Sequence, residues 1–468
     1  MYRGRASNSS RGLRPPRASW SGLGRGRGRG SSWRKDNEPS SKATVDDIPL
    51  GRLITNISLG DALGHDIKAE DAKISDCKYA ASYSIVDSRS PKIIIPGQPA
   101  TWKPPQLPSQ LPGDHGDYLR DQNGARFPEH PMQPSVQSLF ALNKEFDPLS
   151  IHIMGCASSL GDILRFTRAV EATFRFDVEM IGNTLFLVRN HRDQIIPDVR
   201  GYGHSFLDNF TSYPAGVEET KSHQRVVSYS FGGLKFLVRF ECDGHSTNNA
   251  EGVVPTLIAP KAVTLQEPSV SSSIAIKPAG VIVPQDSILE IKTKSQARAP
   301  IEMSDHLPRL WVRQIPHLIT AYHTRGSFED VQEKAVRVDV LKWEAEHESE
   351  LRKFASVLHQ LINEVKRASQ LKLELYRAGS GPLELRERSG KTPDALPADW
   401  KDMWIGSYQG PGRDGEGHSS DEEDGGSCPS LAFRGGESSE SEGSDDDIAL
   451  DYTACDLNDC GYCGRCAY

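Results

Sequence analysis

Long apolar runs are missing from this 468-residue chain. No stretch of about 18 apolar residues occurs, which excludes an apolar membrane-spanning helix. The N-terminus carries arginine and glycine where a secretory signal needs an apolar core. An intracellular location, nuclear or cytoplasmic, is therefore expected. Cys77, Cys156 and Cys242 stand far apart in apolar or strand-like surroundings. That pattern suits reduced thiols and excludes a disulfide framework. Hydrophobic residues make up only 37%, against 30 prolines and 41 glycines, so part of the chain is expected to build no core. The Asp-Asp-x-x-Asp motif of a prenyl diphosphate synthase is also missing. Asp446-Asp447 is followed by Asp451 at the wrong spacing, and the repeated long helices of an all-α synthase are lacking.

What is present begins with charge asymmetry. The net charge of −8 hides ten Lys/Arg and no acid between Met1 and Lys35. Residues 414–451 are mostly acids, serines and glycines. Opposite-sign tails around a core are expected: a basic arm at 1–47, a globular domain at 48–376 with 246–284 as a flexible insertion, and an acidic tail at 377–450. In the arm, Arg25, Arg27 and Arg29 alternate with glycine. Such guanidinium groups can contact RNA phosphates and stack on bases, with Trp20 and Trp33 adding stacking. A merely solvated basic tail is the bland alternative. Serines followed by acids in the acidic tail are candidates for phosphorylation, and solvation alone is again the bland reading. At the end, Cys455, Cys460, Cys463 and Cys466 could wrap one Zn²⁺ through thiolates, against a reading as unpaired thiols.

The domain reads as α/β of the α+β kind, a mixed central sheet with flanking helices. Ile93 to Ile95 form a strand stopped by Pro96-Gly97. Leu160 to Ala172 has helical spacing, and Phe176 to Val188 reads as two strands around Gly182-Asn183. Arg225 to Tyr229 and Leu234 to Asp243 are strands joined at Gly232-Gly233. Leu310 to Tyr322 reads as a helix interrupted by Pro316, and Ser327 with Asp330 as a helix cap. Residues 328–376 hold no proline or glycine. Trp343, His347, Leu351, Phe354, Leu358, Leu361 and Val365 recur at intervals of three and four, as in a long core-packing helix.

Chemistry concentrates on two strands. Strand side chains alternate faces, so Glu241 and Asp243 project together from the polar face of theirs. Glu290 and Lys292 do the same on Ile288 to Thr293. Three carboxylates can hold a hard divalent cation, and a neighbouring lysine can orient water or offset phosphate charge. A solvated charged strand face is the bland alternative. Gln314, Arg225, Arg239 and Lys294 are candidate RNA contacts, although surface cations are more often solubilisers.

The order of segments resembles the DXO-type RNA 5′-end decapping and exonuclease family. Ala81-Ser82-Tyr83-Ser84 with Pro104-Pro105 resembles its N-terminal region. Arg200 to Leu207 resembles its Gly-aromatic-x-Phe-Glu segment. Glu241-Cys242-Asp243 matches Glu-x-Asp, and Glu290-Ile291-Lys292 matches Glu-x-Lys. Leu310 to Gln314 resembles its glutamine-bearing helix. The resemblance implies a metal-nuclease core of the PD-(D/E)xK type acting on RNA 5′ ends. Glu241, Asp243 and Glu290 would hold Mg²⁺ or Mn²⁺, and Lys292 would assist. Leu207 stands where the family has glutamate, Arg309 is nearest to the helix lysine, and Ala321 and His323 replace the Gly-x-Arg pair. Two functions follow as expectations: a metal-dependent RNA 5′-end hydrolase, or an inactive RNA- or protein-binding module on that scaffold.

Overall fold

The computed structural model describes residues 49–60, 67–88, 90–189, 195–247, 265, 270–298, 300–389, 392 and 394–406. The Arg-Gly arm, the acidic tail and the terminal cysteines lie outside the described residues. No described helix is long and apolar enough to cross a membrane.

The fold is mixed α+β, with one eleven-stranded and one seven-stranded sheet. At the centre of the larger sheet, Thr220–Phe231 and Leu234–Glu241 pair antiparallel, with Phe231 opposite Leu234. Their turn uses Gly232 and Gly233 at φ +60° and +75°, a region that favours glycine. Gly232 also lies against a helix, because an added Cβ would come within 2.5 Å of the Ala355 methyl.

Alternation along Leu234–Glu241 decides the layers. Phe236, Val238, Phe240 and the following Cys242 enter one core. The helix Glu348–Arg367 covers that core with Leu351, Phe354, Leu358, Leu361 and Val365. Leu237 faces the other way, into a second core closed by Trp400 and Trp404 of the helix Ala398–Trp404.

Beyond Glu241 the chain leaves the large sheet. Gly244–His245 joins the small one, antiparallel to Ile288–Ser295. A helix, Met303–Arg313, then returns the chain to His317–Thr324, which pairs parallel to Ile288–Ser295. Asp243 thus sits where the chain passes from one sheet to the other.

Several local expectations are corrected. The helix expected over 310–322 ends at Arg313. Gln314 adopts a left-handed cap, Pro316 offers no N–H, and the β-branched and aromatic residues after it join the sheet. The helix expected from 328 begins only at Arg337, because Ser327–Ala335 pairs with His317–Thr324. The long helix is two, Arg337–Glu346 and Glu348–Arg367, separated at His347. Residues expected in a loose insertion include Ala275–Gly280, an edge strand parallel to Lys92–Gly97. The stretch expected to be tail after 377 contains the strand Leu383–Arg386 and the helix Ala398–Trp404.

Candidate functional site

The short strand Ile153–Cys156 runs straight into the helix Ala157–Thr167, with Cys156 as its N-cap. That strand pairs parallel to Leu234–Glu241, with Cys156 opposite Arg239. This register brings the helix start and the polar face of the Glu241 strand to one place. A cleft opens there, with about 40 Å³ of room for water-sized molecules. Arg120, Arg189, Arg239 and Arg313 line it, together with Asp121, Glu241, Asp243, Cys156 and Ser158.

Arg239 is the best-anchored cation. It is 5% exposed, donates to Gln224 Oε1 at 2.7 Å, and lies 3.6 Å from Asp121 Oδ2. Burial opposes its charge, but Asp121, Tyr83 and Cys156 more than offset that and keep it protonated. Asp121 is held in turn as the cap of Gln122–Arg126, accepting from the Asn123 N–H. Arg239 Nε remains buried without a hydrogen-bond partner.

The two acidic segments meet different surroundings. Glu241 is half-buried on the cleft wall, and Asp243 beside it is buried. Asp243 Oδ2 accepts the Ile291 N–H at 2.9 Å, which ties the two motif strands together. Glu290 is 2% exposed. Lys292 Nζ lies 2.9 Å from its Oε1, and Arg313 Nη1 donates to its Oε2 at 2.9 Å. Burial would raise the Glu290 carboxyl, but Lys292, Arg313 and Arg309 overcome it and hold it at about 2.

These placements bear on the expected divalent ion. Each oxygen of Glu290 faces a cationic side chain. Among the described residues, no three His, Cys, Asp or Glu side chains converge on a point that could hold an ion. Glu290 Oε1, 2.9 Å from Lys292 Nζ, is nevertheless buried without a hydrogen-bond partner. The Zn²⁺ expectation rests on Cys455, Cys460, Cys463 and Cys466, outside the described residues.

The other candidates separate cleanly. Arg239 reaches the cleft. Arg225 does not contact solvent: it is buried, stacks on Tyr79, and donates to Gln285 and to the Val283 carbonyl. Gln314 folds back to donate to the Trp311 carbonyl, and does not line the cleft. Lys294 donates to the Pro300 carbonyl. Leu207 packs with Phe206, Leu289 and Ile291 on the face of the Glu290 strand opposite the carboxylate. Ala321 belongs to the same apolar cluster, and His323 packs against Tyr202 and Phe328. Arg25, Arg27 and Arg29 lie outside the described residues. Sequence reading missed Arg120, Arg189, Arg313 and the cleft position of Cys156. Only the last had a signal, an apolar strand running through Cys156 into Ala-Ser-Ser and a helical pattern.

One family's sequence profile, described as a domain of unknown function (DUF8563), matches residues 62–378. No curated protein matches the chain. Among solved structures, S. pombe Rai1 in complex with 3′-FADP aligns at 12% identity over 71% of this chain and 99% of that one, with a TM-score of 0.46. Candida albicans Rai1 in complex with pU5-Mn2+ aligns at 10% identity over 76% and 99%, with a TM-score of 0.47. K. lactis Dxo1 in complex with manganese aligns at 11% identity over 75% and 97%, with a TM-score of 0.38. Each is a likeness of chain course at low identity.

Proposed function

This chain belongs to the DUF8563 family, and from its cleft we propose that it binds the phosphorylated 5′ end of RNA. The observation that carries this reading is the set of four arginines around one cleft. Guanidinium groups are planar, permanently charged forks that match phosphate oxygens. Arg239 is held by Gln224 and Asp121, so it pays little ordering cost when an anion arrives. The order of motifs, similar to the DXO-type family, supports RNA over other phosphate esters. The Arg-Gly arm supplies a second, sequence-tolerant contact to the strand.

On this reading the chain's own groups bind and orient. Arg120, Arg189 and Arg239 take the terminal phosphates, while Glu241 and Asp243 repel misplaced anions and fix the depth of entry. Arg313 is shared with Glu290 and anchors one wall.

A second reading is metal-dependent hydrolysis at the same end. Glu241 and Asp243 on the cleft wall favour it. The closure of Glu290 by Lys292 and Arg313 weighs against it. The test compares one RNA sequence bearing a 5′-hydroxyl, a 5′-monophosphate, a 5′-triphosphate or a cap. Binding is measured by fluorescence anisotropy, and product is followed with Mn²⁺ or Mg²⁺ for the wild type, Asp243→Ala and Glu290→Ala. Tighter binding of phosphorylated ends without product supports the binding reading. Metal-dependent product lost in both variants replaces it with the hydrolase. Equal affinity for 5′-hydroxyl and 5′-phosphate ends sinks the 5′-end assignment.

A further inference from the structure

Three free thiols occur among the described residues, and one differs from the rest. Cys77 and Cys242 line no part of the cleft and sit in or against the main apolar core. Burial pushes their thiols up to about 11 and about 12. Cys156 instead lines the arginine cleft. Ser159 Oγ lies 3.3 Å from its sulfur, and Ser158 Oγ donates to it at 3.5 Å. It caps the eleven-residue helix Ala157–Thr167, whose first N–H groups favour negative charge at that end. Burial would raise this thiol too, but Arg239 and Arg189 outweigh burial and lower it.

The second observation comes from the cleft itself. Arg239, opposite Cys156 in strand register, keeps its Nε buried without an acceptor. Arg120 and Arg189 line the same cleft.

We propose that Cys156 is an oxidant-modifiable site, a cleft sulfur that small hydroperoxides convert to the sulfenic acid. The sulfur attacks one peroxide oxygen, an S–O bond forms, and the O–O bond breaks. The leaving oxygen takes the thiol proton and departs as water when the oxidant is hydrogen peroxide. The sulfur loses an electron pair, and the peroxide is reduced by that pair. The new oxygen enters the space where an RNA phosphate would sit, so modification and phosphate binding exclude one another. The chemistry at sulfur stands without the RNA reading, and only the mutual exclusion rests on a cleft that takes phosphate.

The test uses the reduced full-length chain, limiting hydrogen peroxide and a cyclic 1,3-diketone that traps sulfenic acid. Peptide mass spectrometry follows each cysteine separately. Cys156 is expected to label at least about tenfold faster than Cys77 and Cys242. Excess inorganic phosphate slows Cys156 alone, and Arg189→Gln slows it without phosphate. Labelling of Cys156 no faster than Cys77 and Cys242 overturns the proposal. Fast labelling that phosphate leaves unchanged overturns the mutual exclusion. Neither readout involves RNA, so a failed RNA assay leaves this result interpretable.

Discussion

Glu241 lines an open cleft, whereas Glu290 is sealed between Lys292 and Arg313. Their strands carry similar acidic motifs and are tied together through Asp243 and the Ile291 N–H. The difference lies in what the next element delivers. The Glu241 strand meets a helix start and open space. The Glu290 strand is followed by Met303–Arg313, which brings Arg309 and Arg313 against it. A carboxylate facing space can act on a ligand. Glu290 has a cation 2.9 Å from each oxygen, which ties its strand to the helix Met303–Arg313.

The strongest way to break this comparison is Glu290→Ala. It leaves Lys292 and Arg313 buried without their counter-charge, a change that costs about 3–5 kcal/mol. Urea unfolding is expected to show that loss. A stable Glu290→Ala protein with altered metal affinity would reverse the roles assigned to the two carboxylates.

Acid sharpens the same point. Glu290 sits at about 2 in the folded protein, against an ordinary 4.5. Its folded value is depressed, so its stabilisation is complete above the ordinary value. It is lost as pH falls from there through about 2, on the order of 3 kcal/mol in total. Unfolding free energy measured across that window should fall steeply in the wild type. Glu290→Gln should flatten the slope, and an unchanged slope would assign the acid sensitivity to other carboxylates.

Asp243→Ala probes the tie between the motif strands. The Ile291 N–H loses its acceptor in a buried place, which costs about 1–3 kcal/mol. Thermal unfolding reads this directly, and a neutral result would mean that the two strands hold register without the tie.

The smallest stability effects belong to the cleft wall. Arg189→Gln and Glu241→Gln should each change stability by no more than about 0.5 kcal/mol. Their effect is expected in binding instead. Arg189→Gln should weaken phosphorylated RNA and reduce the salt slope of log K by about 1, while Glu241→Gln should tighten it. Destabilisation as large as that of Glu290→Ala would erase the contrast between cleft and sealed pair.

Much of the site's local order was legible. Alternation assigned Glu241 to the polar face and Phe236, Val238 and Phe240 to a core, and the structure agrees. The turn at Gly232-Gly233 and the hairpin around Gly182-Asn183 also follow from residue type. Legibility failed where neighbours overrule propensity. Ser327–Ala335 carries helix-compatible residues, yet it pairs with His317–Thr324. Arg225 reads as a surface cation because its strand alternates, but Tyr79 and Gln285 come from distant segments to bury it.

The sequence by itself determined the strands that carry the acidic motifs, their faces, the turns at Gly182-Asn183 and Gly232-Gly233, and the order of those motifs. These depend on alternation, on glycine at positive φ and on the missing N–H of proline, all local properties of the backbone. Only the tertiary structure decided which carboxylate faces the cleft and which is sealed, and that Cys156 lies beside Arg239. Those outcomes depend on sheet register and helix return between segments far apart in sequence. Charge and burial act through distance in space, which residue spacing along the chain does not encode.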